Sequence, residues 1–313
     1  TQQEISFCAL GSLTMVMNAL GVDPRRRWRD ESGPGWRWWD DEMFTEGACL
    51  PSLDDLRREG AGLAEMFQFR SDDGQFDIYG VLYKPKDFDA SKRYPLINAL
   101  YGGPGSNEIS ARYVSTMRSE CRKGYFVVKV NNRGTGNRGK KFLGSNYLRL
   151  GDVDIQDHAD GVREVIKRPY IDGDRVGIIG HSYGGFMAAM GICKFPGVYA
   201  AASIGAGVPD WRSYETSYTQ RYMSTPQLNP KGYDTGSVMT YAKQLKGKAH
   251  ILHGMVDDNV HPNNAFQLIA VKAAADCWLC VEMSGGLDPA AVSSAGAVGL
   301  MQLLGARISV PSR

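Results

Sequence analysis

Val176-Gly-Ile-Ile-Gly-His-Ser-Tyr-Gly-Gly185 is the stretch that decides the fold. A β-branched run over 176–179 ends in G-x-S-x-G, and residues 183–193 follow with a helical pattern. A serine between glycines at a strand-to-helix junction marks a tight turn, because a Cβ at the flanking positions would collide with neighbouring backbone. Such a turn holds the Ser182 hydroxyl above the end of a sheet. It also aims the Tyr183 amide, at a helix N-terminus, at the place where an oxyanion would form. Working outward, strand-like runs occupy 78–84, 94–100, 125–131, 175–179, 199–204, 250–253 and 278–282, with helical patterns at 152–167 and 183–193. Short β-branched runs joined by helical crossovers predict a mostly parallel sheet with helices on both faces.

The composition agrees with a globular α/β protein of 313 residues, 43% hydrophobic and 22% charged, which can bury a sizeable core. Lys+Arg of 36 against Asp+Glu of 34 leaves a charge of +2, which argues against a nucleic-acid binder relying on phosphate neutralisation. No apolar run is long enough to span a bilayer. The six cysteines are too few to form a disulfide scaffold. Cys277-Trp-Leu-Cys280 sits in an expected strand that would send the two thiols to opposite faces, so no metal site and no cofactor are expected. Thr1 opens the chain without Met and without a signal-like apolar stretch, consistent with a processed, excised or truncated product of open compartment. The Arg- and Trp-rich segment 24–41 reads as a half-buried loop with snorkelling arginines.

A serine on such a turn needs a base and an acid, which follow in the order Ser, acid, His on loops after later strands. The acid candidates stand in Ile251-Leu-His-Gly-Met-Val-Asp-Asp-Asn-Val-His261, where Asp257 or Asp258 would orient an imidazole. The base is harder to place. The five histidines, His158, His181, His250, His253 and His261, all precede the last expected strand. Loss of the base from such a triad costs up to about 10⁶ in kcat.

Residues 68 to 280 resemble the catalytic domain of prolyl oligopeptidase family serine peptidases, especially the dipeptidyl peptidase group. The matching blocks are Gly80-Val-Leu-Tyr-Lys-Pro85, Leu100-Tyr-Gly-Gly-Pro104, Asn132-Arg-Gly-Thr-Gly136, Pro169-Tyr-Ile-Asp-Gly-Asp-Arg-Val-Gly177, 180–185 and 253–260. The resemblance implies an α/β-hydrolase fold over 63–283 and cleavage after proline through an acyl-enzyme. It casts Ser182 as nucleophile, Asp257 as acid, and Tyr101 with the Tyr183 amide as oxyanion donors. Trp211, Tyr214, Tyr218, Asn259 and Val260 become walls of a proline pocket, a flat aromatic slot that buries the ring and asks for no amide donor. Two departures stand out. The family's histidine would fall near 287–290, which here reads Leu287-Asp-Pro-Ala290. Nothing in the chain corresponds to the family's N-terminal β-propeller.

Two flanking segments resemble other enzymes. Residues 1–62, through Thr1-Gln-Gln-Glu-Ile-Ser-Phe-Cys-Ala-Leu-Gly11, Asn18-Ala-Leu-Gly-Val-Asp-Pro24 and Trp36-Arg-Trp-Trp-Asp-Asp-Glu-Met43, resemble the start of phytochelatin synthase. That family is papain-like and transfers γ-glutamylcysteine from glutathione. The likeness implies a partial, helical papain-like segment with Cys8 as thiolate and Gln2 as oxyanion donor. Residues 284–313, through 287–303, resemble the start of lytic transglycosylases, with Ser284 at the position of their acidic residue and Glu282 displaced by two. The whole reads as a composite: a peptidase core between two partial segments, in the manner of a fusion, a misassembled reading frame or a designed chimera. Its expected ligand is a proline-containing peptide, turned over poorly without a triad histidine. The alternatives are a Cys8 glutathione transpeptidase and a non-catalytic hydrolase-fold binding protein.

Overall fold

In the computed structural model the described residues are 64–85, 87–109, 120–121, 123–272, 278–284, 300 and 303–304. The chain divides into two units, Thr1–Ala61 and Gly62–Arg313, and every described residue belongs to the second.

Eight strands form one sheet: β1 (Glu65–Arg70), β2 (Asp77–Tyr83), β3 (Tyr94–Ala99), β4 (Phe126–Asn131), β5 (Ile171–His181), β6 (Ala201–Gly205), β7 (Lys248–Gly254) and β8 (Trp278–Ser284). Their order across the sheet is β1-β2-β4-β3-β5-β6-β7-β8. The β1/β2 and β2/β4 pairs are antiparallel and the remaining five pairs are parallel. A mostly parallel sheet with helices packed on it, reached by an antiparallel lead-in, is the α/β-hydrolase fold anticipated from the turn at Ser182.

The run 175–179 proves to be the middle of a longer strand. Pairing with β6 continues through Gly180↔Ile204 and His181↔Gly205, so β5 carries the chain to the residue before Ser182. β1 lies outside the expected runs. Its Phe67 and Phe69 turn inward while Gln68 and Arg70 face solvent, and the Phe67 ring lies over Gly80, where a Cβ would overlap it.

Helix α1 (Val153–Ile166) presents Ile155, Ala159, Val162 and Val165 to the sheet. Helix α2 (Tyr183–Lys194) is buried from Tyr183 to Cys193, which explains why it is apolar on all sides. Later helices include α3 (Thr216–Met223), α4 (Pro230–Thr235) and α5 (Asn263–Lys272). A second, smaller core joins Ile97, Tyr125, Val127 and Ala201 to Leu300 and Leu304. Those leucines come flush against β5 at Gly177, where a Cβ would lie 2.9 Å from Leu304 and 3.0 Å from Leu300. Among the described residues no helix is long and apolar enough to cross a membrane.

Candidate functional site

Ser182 is the N-cap of α2, with φ 59° and ψ −117°. A non-glycine residue takes this conformation only where its surroundings impose it. Here the Ser182 amide donates to the Gly205 carbonyl (2.9 Å) and its own carbonyl receives the Phe186 amide (3.0 Å). The neighbouring glycines meet backbone on every side. A Cβ at Gly180 would overlap Gly184, one at Gly184 the Leu100 carbonyl, and one at Gly185 the Gly205 carbonyl. Strand end, turn and helix start are thereby locked together. Tyr183 sits at the first position of α2, where an amide has no partner within the helix.

Tyr101 follows β3 and approaches the elbow from the other side. Its ring is 6.0 Å from that of Tyr183, and the residue is 43% exposed. Partial burial, aided by the nearby Tyr214 and Glu108, raises its pKa and keeps it a proton donor. The Tyr101 and Gly102 amides both donate to Glu108 Oε1, at 3.2 and 3.1 Å. Glu108 is in turn paired with Lys129 at 3.5 Å. Gly103 lets the Tyr101 ring fold back, since a Cβ there would stand 2.7 Å from it. The buried Tyr183 hydroxyl donates to Asp154 at 2.7 Å, and burial raises the pKa of that carboxyl.

Trp211, Tyr214, Tyr218 and Tyr222 form a connected aromatic group beside the elbow. Tyr218 stacks on Trp211 at 5.9 Å, meets Tyr214 edge-on at 5.6 Å, and is 4.9 Å from Tyr222. Trp211, expected as a pocket wall, is only 1% exposed. The 3-10 turn 211–213 turns its indole inward against Tyr183 and Phe186, with Tyr214 and Tyr218 packed on it. Val260 is likewise buried, at 2%. The exposed Asn259 accepts from the Tyr214 hydroxyl at 2.9 Å.

The two acid candidates separate by burial. Asp258 is exposed, whereas Asp257 is 8% exposed and its Oδ1 accepts the Asn259 (3.1 Å) and Val260 (2.9 Å) amides. Its Oδ2 lies 3.7 Å from His253 Nε2, but that nitrogen is committed to the Val260 carbonyl at 2.6 Å. His261 is exposed and its Nδ1 accepts the Asn263 amide. His158 is wholly buried. His181, beside Ser182, has its pKa lowered by burial, an effect opposed by the Asp257 charge. Among the described residues no imidazole hydrogen-bonds the Ser182 hydroxyl, and no group of three His, Cys, Asp or Glu side chains is placed to hold a metal. Cys8, Gln2 and Cys277 lie outside the described residues, as does most of 284–313. Sequence reasoning missed Glu108 and Asp154, which fix Tyr101 and Tyr183 in place. Neither lies in a recognisable motif.

A family model described as prolyl oligopeptidase family matches residues 111–277, and one described as phytochelatin synthase matches residues 1–94. The tail's likeness to lytic transglycosylases falls beyond both ranges. Human dipeptidyl peptidase 8 is 38% identical over 205 residues, 63% of this chain and 23% of its own length. A probable dipeptidyl-aminopeptidase B of Grosmannia clavigera is 42% identical over 191 residues, 59% of this chain and 20% of its own. The crystal structure of Porphyromonas gingivalis dipeptidyl peptidase 4 superposes with a TM-score of 0.73 at 29% identity, covering 85% of this chain and 38% of that one. The chain thus spans about a quarter of the length of these curated relatives.

Proposed function

The chain belongs to the prolyl oligopeptidase family, whose model matches more than half of it, and from that premise we propose that residues 63–283 form a serine peptidase unit acting on peptides after proline. The Ser182 oxygen bonds to the scissile carbonyl carbon, the carbon–nitrogen bond breaks, and the amine leaves with a proton. Water then hydrolyses the acyl-enzyme. The oxyanion is received by the Tyr183 amide and the Tyr101 hydroxyl. Tyr214 and Tyr218, backed by Trp211, hold the proline ring, with Asn259 at the rim beside the buried Val260, and Asp257 is the acid. The observation that carries this reading is Ser182 held at φ 59° at the head of α2, over glycines that admit no side chain.

Turnover by this chain is impaired, because His158, His253 and His261 are engaged with Asn132, the Val260 carbonyl and the Asn263 amide, and among the described residues no imidazole hydrogen-bonds Ser182. The test pairs a fluorophosphonate probe with Gly-Pro-anilide turnover. Labelling that maps to Ser182 and disappears in Ser182→Ala is expected, with anilide release slow and increased by added imidazole. Absence of labelling at millimolar probe would refute the reading and favour a non-catalytic hydrolase-fold binder.

The match over 1–94 favours a second activity, γ-glutamylcysteine transfer from glutathione by Cys8 with Gln2 as oxyanion donor. Glycine release from glutathione that is abolished by Cys8→Ala would support it, and release that survives the substitution would exclude it.

A further inference from the structure

Beneath the Tyr101 loop lies a chain of buried polar side chains that the mechanism above does not use. Asn98, Asn132 and His158 are 0% exposed and Tyr199 is 1% exposed. The Tyr199 hydroxyl donates to Asn98 Oδ1 at 3.1 Å. Asn98 Nδ2 donates to the Val128 carbonyl at 3.3 Å and faces His158 Nδ1 at 3.3 Å. His158 Nε2 faces Asn132 Oδ1 at 3.2 Å. Asn132 Nδ2 donates to the carbonyls of Gly102 (3.1 Å) and Arg133 (2.8 Å).

The donors and acceptors run in one direction only. Asn132 must point its Nδ2 at two carbonyls, so its oxygen faces His158 and requires a proton on Nε2. Asn98 must accept from Tyr199 and donate to Val128, so its Nδ2 faces a bare Nδ1 on His158. The ring is therefore neutral, with its proton on Nε2. Burial works in the same sense, since with the charge of Lys129 nearby it pushes the His158 pKa down to about 3. Reversing either amide would set carbonyl against carbonyl in a site closed to water. A second observation ties the ring to the loop. Gly102 has φ +73°, and a Cβ there would stand 3.3 Å from Asn132 Oδ1 and 3.6 Å from His158 Nε2, so the glycine rests directly on the pair.

We propose that His158 is a positioning residue, which sets the Asn132 amide so that it clamps the Gly102 carbonyl from below while Glu108 holds the Tyr101 and Gly102 amides from above, fixing Tyr101 beside the Tyr183 amide. The proposal rests on the oxyanion role read above for Tyr101, and its test separates the two. Imidazole nitrogen NMR of the full chain, with the ring assigned by its loss in His158→Gln, should show a slowly exchanging Nε2–H whose shifts are constant from pH 8 to 5. A ring protonated on Nδ1, or one that titrates in that range, would overturn the proposal.

Glutamine can donate to Asn132 and accept from Asn98, whereas leucine can do neither. Hydrogen exchange at the Tyr101 and Gly102 amides should therefore rise at least tenfold in His158→Leu, with α1 unchanged, and stay within threefold of the parent in His158→Gln. Fluorophosphonate labelling of Ser182 should follow the same order, falling tenfold or more in the leucine variant only. Equal behaviour of the two variants in exchange would overturn the proposal. If the parent is not labelled at all, the reading of Ser182 fails, and the proton position and amide exchange still decide the role of His158.

Discussion

Lowering the pH from 7 to 5 removes a contribution that His158 makes to the stability of the folded chain, and His158→Gln abolishes that part of the acid sensitivity. In the unfolded chain the imidazole takes up a proton as the pH drops through its ordinary 6.5, while the buried ring stays neutral down to about 3. The unfolded state thus binds more protons throughout this window. The contribution is complete above the unfolded value and is lost progressively as the pH falls, at up to about 1.4 kcal/mol per pH unit. Because the ring is wholly buried and neither flanking asparagine can accept a second proton from it, screening does not soften the effect. Integrated from pH 7 to 5 the loss is about 2 kcal/mol. In urea, at about 1–3 kcal/mol per molar, this lowers the midpoint by roughly 1 M. Urea midpoints followed by circular dichroism at both pH values, for the parent and His158→Gln, give the measurement. The other titrating groups are common to both proteins, so the difference between their shifts isolates this ring. Equal shifts in the two proteins would refute the reasoning.

Other substitutions probe the remaining pieces. Gly184→Ala places a Cβ against the Leu100 carbonyl and 3.1 Å from the Tyr101 Cα, so phosphonylation of Ser182 should disappear; labelling at the parent rate would mean the elbow is not packed as described. Tyr101→Phe should lower the labelling rate by about 10²–10³, the usual effect of losing one oxyanion donor, and an unchanged rate would remove Tyr101 from that role. Leu300→Ala empties a fully buried site against β5 and should cost about 2–5 kcal/mol in urea unfolding, whereas a change under about half a kcal/mol would show that the leucine does not cover the sheet.

The parts of the site that were legible in the sequence are those with local backbone causes. Gly180, Gly184 and Gly185 are demanded within a few residues of Ser182, so the turn announced itself. β1 was equally local, since Phe67 and Phe69 alternate with Gln68 and Arg70, yet one short edge strand beside an unrelated resemblance carried little signal. The family resemblance pointed to Trp211, Tyr214 and Tyr218 as a pocket group but not to which ring faces outward, because a single 3-10 turn decides that Trp211 points into the core. The choice between Asp257 and Asp258 turns on amides two and three residues further on, which tie down only one of them. The His158 chain was invisible for a plainer reason. Its members are brought together across separations of 26 and 60 residues, and buried asparagines leave no periodic trace.

Arg133 sets where this protein can be divided. Its guanidinium is 1% exposed and meets Asp157 of α1 at 2.7 Å, Asp73 at 3.0 Å and Asp72 at 2.5 Å. The last two sit on the bend between β1 and β2, inside the 1–94 range that matches the phytochelatin synthase model. Exchanging everything through residue 94 would strip two counterions from a desolvated cation along with two strands, at a cost of several kcal/mol. Exchanging only what precedes Glu65 leaves the ionic clasp whole. A modular graft therefore has its workable seam upstream of β1, close to the 62/63 division read from the sequence and some thirty residues before the end of the phytochelatin synthase match.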